Sequence, residues 1–463
     1  MPTQSLTDLP EYHDDLLIMK VRPDAGLLAT PGALGGDFRE SSEAPGLSTL
    51  ALYERAGFIK RVIPLHGAAL RAAAPAGGAL EGIVAAAASF GGTPAPNNGV
   101  TMLELHPGTN PVQLQTALGD DASIEYVSRV PVRYLMVDTT SAATPPPADN
   151  LWNLKKIRWA EARAAGLPSA DGVRVAVLDT GVDPGHPDLP PLRRYVYDYG
   201  IPGGSTSDSD IVGHGTHVTG TICAKINNAL GINGVCSCSL SVLKIFSDEV
   251  TFIPARNSFA FLVDPVLYRA ALADCIEQDE QVVNLSIGGY GTPDPQEKQL
   301  FRALVENGCT VVAAMGNENT AKPSYPAALP GVVAVGATGL DDTRASFSNI
   351  GSHIALSAPG VGIWSTLPTY PGRTGNRAAL SAAGKIVPGA PITRETQYDA
   401  WDGTSMATPH VAAAAALAIA KHGAMTPPNV VKWLKNASDP VPAMGSSAFT
   451  VEYGSGRLNL AKI

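Results

Sequence analysis

Three separated segments hold the residue types of a charge-oriented nucleophile: Val177-Leu178-Asp179-Thr180-Gly181, Gly213-His214-Gly215-Thr216-His217-Val218, and Gly403-Thr404-Ser405-Met406-Ala407-Thr408-Pro409-His410. A serine hydroxyl is a poor nucleophile, so it needs an imidazole that takes its proton during attack and returns it to the leaving amine. His214 suits that role toward Ser405, and Asp179 would fix the imidazole tautomer and stabilise the imidazolium. Ser405 precedes a long Ala-rich helix that tolerates Pro409 in its first turn and ends near Gly423. A helix N-terminus there would aim free N–H groups and the positive end of the dipole at a developing oxyanion. An α/β-hydrolase elbow would need G-x-S-x-G, and Gly403-Thr404-Ser405-Met406-Ala407 lacks the second glycine. His217 could form an H-x-x-H metal pair with His214, but no Glu follows in the zincin pattern, so His217 reads as structural and His410 as packing.

With these three motifs in the order Asp, His, Ser, the chain resembles the subtilisin-like serine peptidases from about Leu151 to Leu460. The resemblance implies a serine endopeptidase that works through an acyl-enzyme and is made as a zymogen. It assigns Asn317, in Ala314-Met315-Gly316-Asn317, to the oxyanion, where a carboxylate would instead point to the related acid-acting family. It also implies that an extended substrate adds as a strand along Ser286-Ile287-Gly288, with Ala314, Met315 and Gly316 lining the first pocket. Both segments are uncharged, so an uncharged side chain is expected just before the scissile bond. A structural calcium is implied on Asp188, the Asn228 side chain and the carbonyls of Ile226, Leu230 and Ile232, the remaining ligand falling at Ala148 or Asp149. Two other readings compete with the endopeptidase. One is a peptide ligase or macrocyclase using the same acyl-enzyme, and the other is a non-catalytic peptide-binding module.

The elements that must position these residues are legible as apolar runs. Val173 to Leu178, Leu240 to Phe246, Val282 to Ile287, Thr310 to Met315 and Val332 to Val335 alternate with helical stretches. That pattern predicts an α/β fold, a parallel sheet with helices on both faces, whose site lies at the carboxyl ends of the strands. The run Thr144-Pro145-Pro146-Pro147 marks a stiff connector, placed at 137–150, between a first part (1–136) and a peptidase part (151–463). In the first part, Asp15 to Val21, Leu47 to Ala56 and Phe58 to Pro64 read as one β-α-β unit. Thr101 to Leu105, Pro111 to Leu118 and Ser123 to Val127 read as a second, after an Ala/Gly-rich insert from Gly67 to Asn98. Two such units predict a small α+β ferredoxin-like domain. The resemblance makes it a propeptide whose tail lies in the cleft as a product. Its tail, Arg133-Tyr134-Leu135-Met136-Val137, reads as an apolar stretch suited to an uncharged cleft, with the scissile bond near Met136. Two insertions, between Phe246 and Val282 and from Thr369 to Gln397, are long enough to be functional or disordered.

Composition narrows the partners. The 463 residues carry 33 Lys plus Arg against 42 Asp plus Glu, a formal charge of -9, which lacks the basic footprint of a nucleic-acid binder. The longest apolar run, Val411 to Ala420, is short of the roughly 20 residues needed to cross a bilayer, so no membrane partner is expected. Protein or peptide substrates and the chain's own propeptide remain. Acidic residues near the start, where a signal peptide would be basic, point to a cytoplasmic protein or one exported without a signal peptide. Five cysteines, an odd number, favour buried reduced thiols, and Cys236 with Cys238 lacks a second pair at zinc spacing.

Overall fold

The computed structural model describes residues 9–22, 50, 52–65, 100–135, 149–199 and 206–463. The Ala/Gly-rich insert, Met136, the proline run and Ala148 lie outside these residues. The first part is an antiparallel sheet of β1 (Tyr12–Val21), β2 (Ile59–Pro64), β3 (Val100–Leu105) and β4 (Ile124–Pro131), in the order β2-β3-β1-β4. Helix α1 (Pro111–Gly119) covers one face. It starts where the Asn110 side chain accepts the N–H groups of Val112 and Gln113 and Pro111 takes the first position. The alternation of β1 decides what meets what. Leu17, Met19 and Val21 pack with Leu114 and Leu118 of α1, whereas Ile18 turns to the opposite face and joins Met102 and Val130 against Val266, Leu267 and Ala270. After β4 the chain runs into a short strand, β5 (Tyr134–Leu135).

The second part is built on nine strands. They are β6 (Ala170–Asp179), β7 (Arg194–Val196), β8 (Cys238–Lys244), β11 (Val282–Leu285), β13 (Thr310–Ala314), β14 (Val333–Thr338), β15 (Ile354–Pro359), β20 (Ser438–Asp439) and β21 (Arg457–Leu458). Their order is β20-β21-β15-β14-β13-β11-β6-β8-β7, and every neighbouring pair except β20 with β21 is parallel. Helices α2 (His214–Cys223), α5 (Thr404–His422) and α6 (Pro427–Asn436) cover one face, meeting Val175 and Val177. Helices α3 (Pro265–Glu277) and α4 (Pro295–Glu306) cover the other, meeting Ala176 and Leu178. Both faces of β6 are thus buried, which is why it reads as a continuous apolar run rather than an alternating one. From β6 the chain goes to β7 and β8 on one side and then to β11 on the other. A cleft opens at such a switch point, and Asp179 ends β6 while Ser286 follows β11.

Of the two alternatives for the insertions, functional or disordered, the fold excludes disorder for the segments described. The stretch 369–397 is not a structureless loop: it folds into the hairpin of β17 (Arg373–Leu380) and β18 (Ile386–Thr393). The first insertion supplies β9 (Phe246–Ile253), β10 (Ser258–Val263) and then α3. The two meet, because Ser258 pairs with Arg377, Phe259 with Asn376 and Ala260 with Gly375, giving an accessory sheet β18-β17-β10-β9. The hairpin satisfies its backbone donors on a partner more than a hundred residues earlier, a pairing that no local pattern announces. Two small pairings complete the described part: β12 (Ile287–Gly288) with β5, and β16 (Ile363–Thr366) with β19 (Tyr398–Trp401). Among the described residues, no helix is long and apolar enough to cross a membrane. All five cysteines are free thiols, four of them buried.

Candidate active site

The three predicted residues converge at the carboxyl end of the large sheet, and all three are fully buried. His214 is the first residue of α2, and its Nδ1 lies 2.7 Å from Asp179 Oδ1. Asp179 Oδ1 also accepts the Thr180 N–H at 2.7 Å, which fixes the carboxylate plane. Ser405 is the second residue of α5, so it stands inside the first turn rather than before the helix, and Pro409 sits farther in than the first turn. Its hydroxyl donates to the Ser286 carbonyl at 2.8 Å, while Ser286 Oγ donates back to the Ser405 carbonyl at 2.9 Å. Among the described residues, His214 Nε2 has no hydrogen-bond partner. Catalytic hydrogen bonds are often unformed without substrate, and here the imidazole nitrogen that would take the serine proton is unengaged.

The other two histidines of the motifs are held by packing. His217 sets Nε2 2.9 Å from the Ile363 carbonyl and stacks on Trp401 at 5.2 Å between ring centroids. Burial, and secondarily the neighbouring His214, pushes its pKa down to about 3. His410 bridges the Met406 carbonyl and the Asn153 side chain, at 2.8 Å each, and burial pushes it down to about 4.

One positioning residue escaped the sequence reading. Asp210 lies four residues before His214, fully buried. Its Oδ1 accepts Thr180 Oγ1 at 2.7 Å and the Gly213 N–H at 2.8 Å, and its Oδ2 accepts the Thr216 N–H at 2.9 Å and Thr216 Oγ1 at 2.6 Å. The first N–H groups of a helix lack intrahelical partners, and Gly213, with φ +89°, supplies no capping side chain for α2. Asp210 takes over that capping and ties the strand end bearing Asp179 to the helix start bearing His214. An acidic residue just ahead of an uncapped Gly-His start was the available signal.

On the far side of Ser405, the Asn317 Oδ1 accepts the Thr404 N–H at 2.9 Å and Thr404 Oγ1 at 2.8 Å, so Nδ2 is the donating end of that side chain. Ala314, Met315 and Gly316 lead into it from β13. Gly316 has φ +105°, and a β-carbon there would come within 2.2 Å of Asn349 Nδ2, so this turn requires glycine. The adjacent Glu318, absent from the sequence reading, gathers the Asn317 N–H, the Tyr290 hydroxyl and Asn349 Nδ2 at 2.8 to 2.9 Å. Ile287 and Gly288 are occupied already: Leu135 pairs with Ile287 and Tyr134 with Gly288, antiparallel, and on the other edge Val263 donates its N–H to the Arg133 carbonyl. The tail is not uncharged, however. Arg133 is buried against Glu297, and that overturns the reading of the stretch as apolar in an uncharged cleft.

The model of the subtilase family matches residues 170–456, more than half of the chain, a span that holds Asp179, Asp210, His214, Asn317 and Ser405. The chain belongs to the subtilase family. It is 34% identical to subtilisin NAT of Bacillus subtilis subsp. natto over 297 residues, 63% of this chain and 65% of that one, so less than two thirds of that relative's length is spanned. A subtilisin of Bacillus pumilus is 34% identical over 296 residues, 63% of this chain and 90% of that one. Among solved structures, fervidolysin from Fervidobacterium pennivorans, described as a keratinolytic enzyme related to subtilisin, superposes with a TM-score of 0.58 at 22% identity. That match covers all of this chain and 63% of the other.

In this subtilase the residues predicted to hold calcium come together after α2. Asp188 is fully buried; its Oδ1 accepts Asn228 Nδ2 at 2.6 Å and its Oδ2 accepts the Ile232 N–H at 3.0 Å and the Tyr398 hydroxyl at 3.2 Å. No backbone hydrogen bond among the loops of the described residues ends on the carbonyls of Ile226, Leu230 or Ile232. Asn228 Oδ1 accepts the Leu230 N–H at 3.0 Å, so its amide would have to turn before that oxygen could join the Asp188 carboxylate and these carbonyls around a hard cation. Asp149 is engaged elsewhere: it accepts the Leu151 N–H at 3.1 Å and pairs with Lys155 at 2.6 Å.

Proposed function

We propose that this subtilase is a serine endopeptidase made as a zymogen, with residues up to about Met136 acting in cis as an assembly aid and an inhibitor of the site. What carries the reading is a single juxtaposition. A strand of the chain's own first part is paired antiparallel with Ile287 and Gly288, one residue short of Ser286, whose carbonyl holds the Ser405 hydroxyl. A peptide that continues this register presents its next carbonyl to Ser405.

The chemistry then follows from the side chains. The Ser405 hydroxyl leaves the Ser286 carbonyl and passes its proton to His214 Nε2 as Oγ bonds to the scissile carbon. Asp179, at 2.7 Å from Nδ1, stabilises the imidazolium. Charge that develops on the carbonyl oxygen is met by Asn317 Nδ2 and the Ser405 N–H at the start of α5, where the helix dipole is favourable. His214 returns the proton to the leaving amine as the C–N bond breaks, which leaves an ester on Ser405. Water, deprotonated by His214, attacks the ester and restores the hydroxyl. Asp188, Asn228 and the carbonyls of Ile226, Leu230 and Ile232 would hold a structural calcium that fixes the loop after α2.

The test is casein hydrolysis and fluorophosphonate labelling of the full-length chain, with Ser405→Ala as control and N-terminal sequencing of the active product. Labelling and hydrolysis lost in the control, with a start at residue 137, support the reading. A start after Pro147, or full activity of the uncleaved chain, overturns the zymogen part.

A further inference from the structure

The tail between β4 and the cleft carries one charged side chain, and it is bound in detail. The Arg133 guanidinium donates through Nε and Nη2 to Glu297 Oε1 at 3.2 and 3.0 Å and through Nη2 to Oε2 at 2.8 Å, while Nη1 donates to the Gly291 carbonyl at 3.0 Å. Side-chain exposure is 2% for Arg133 and 1% for Glu297, so this is an interior pair and not a surface one. The two residues belong to different parts: Arg133 to the tail, Glu297 to the first turn of α4, where the helix start favours a carboxylate. Tyr268 adds a hydroxyl donor to Glu297 Oε1 at 3.3 Å. The other buried cation nearby, Arg269, is taken by Asp294 and the Pro265 carbonyl.

Counting charges in this pocket gives two carboxylates, Asp294 and Glu297, and two guanidiniums, Arg269 and Arg133. Departure of the tail removes one guanidinium and leaves Glu297 short of its counter-ion. Once the tail leaves, water reaches Glu297, and a peptide that closes the pocket again must bring a cation in place of that water, because a carboxylate buried without one is strongly disfavoured. The shape selects further. Two carboxylate oxygens and one backbone carbonyl surround a planar, multi-donor group, which suits a guanidinium and not the point charge of an ammonium. The register sets the place. Leu135 lies opposite Ile287 and Tyr134 opposite Gly288, so with the scissile carbonyl at Ser405 beside Ser286, Arg133 stands four residues ahead of the cut.

We propose that Glu297, with the Gly291 carbonyl, forms an arginine-selective subsite for the fourth residue before the scissile bond, so that preferred substrates are peptides bearing arginine there. The inference rests on the peptidase reading and assigns that site its substrate class. In it, the chain's own Arg133 is a stand-in for the substrate side chain.

The test uses the full-length chain after it has processed itself, with internally quenched peptides that share Tyr-Leu-Met before the cut and carry Arg, Lys, citrulline or Ala in the preceding position. Arg is expected to exceed citrulline and Ala by about tenfold or more in kcat/KM, chiefly through KM, with Lys between. Glu297→Gln, close to Glu in volume, is expected to bring the Arg-to-citrulline ratio to near one. Equal rates on Arg and citrulline peptides in the unsubstituted enzyme overturn the subsite while casein hydrolysis keeps the peptidase reading in place. A ratio that survives Glu297→Gln overturns the assignment to Glu297. Should that variant fail to fold, the Arg-to-citrulline comparison in the unsubstituted enzyme still decides. Absence of hydrolysis of both the peptides and casein removes the peptidase reading, and the subsite falls with it.

Discussion

The large sheet and the accessory sheet stand side by side and are made in opposite ways. The strands of the large sheet that bear the site are buried on both faces, and each follows an apolar run. The accessory sheet joins two insertions, and its outer strand β18 is mostly exposed; at the hairpin end, Leu380 of β17 is 74% and Ile386 of β18 50% open to solvent. The interior strand β10 is different: Phe261 and Val263 are buried, and the base of the hairpin is held by Arg394. The Arg394 guanidinium donates to the carbonyls of Ile211, Tyr370 and Asp210. The accessory sheet is therefore anchored to the same loop that places His214, while its outer edge is free to vary. Tolerance to substitution should fall steeply from β18 toward the cleft.

The largest expected effect lies at the core. Ser405→Ala should lower turnover on casein by a factor on the order of 10⁵ to 10⁶ while leaving the melting temperature within about 2 °C, read by initial rates and calorimetry. Asp210→Ala comes next, because it strips partners from Thr180, Gly213 and Thr216 at once. It should reduce unfolding free energy by about 3 kcal/mol and kcat by roughly 10². A variant with both quantities unchanged would break the link drawn between the strand end and the helix start.

Removal of calcium should act on stability and not on the chemistry. Excess chelator should lower the melting temperature, by an amount equivalent to about 2 to 3 kcal/mol relative to calcium at a hundred times its Kd, and Asp188→Ala should abolish the response. Acid should erode the core in the same sense. His217 and His410, held down to about 3 and about 4, stay neutral in the folded chain. The unfolded chain takes up those protons near pH 6.5. The unfolded state then binds more protons between pH 6.5 and 4, so stability falls as pH falls through that window. Urea unfolding of Ser405→Ala at stepped pH should record this slope, and His410→Gln should flatten it. The smallest effect belongs to the outer edge: Leu380→Ser should change stability by no more than about 0.5 kcal/mol.

What the sequence discloses follows the same division. Asp179, His214, Ser405 and Asn317 stand in motifs whose local context survives translation into residues, and the apolar runs locate the strands that carry them. The accessory sheet is hidden because β17 and β18 hold Gly375, Gly389, Pro388 and Pro391 and gain their order from β10, far off in the chain. Arg133 and Glu297 are separated by 164 positions, and nothing local to either announces a partner. Arg133 stands in an otherwise apolar run, and the counter-ion that buries its charge is supplied only by the tertiary fold. Asp210 gives a weak signal, one of two carboxylates in the run Ser207-Asp208-Ser209-Asp210, and its importance appears once four donors are seen to converge on it.

The brevity of β12 bears on how the molecule avoids its own kind. A cleft that binds peptides by strand addition must keep backbone donors and acceptors available, and an open sheet edge of that sort invites copies of a protein to zip together edge to edge. Here the available edge is two residues long, Ile287 and Gly288, and its opposite wall is the end of β10. Neither offers the run of five or more residues that a flat intermolecular ladder needs. Were the tail to leave, strand pairing at this edge would be held to a two-residue register, too short to serve as a template for a longer ladder.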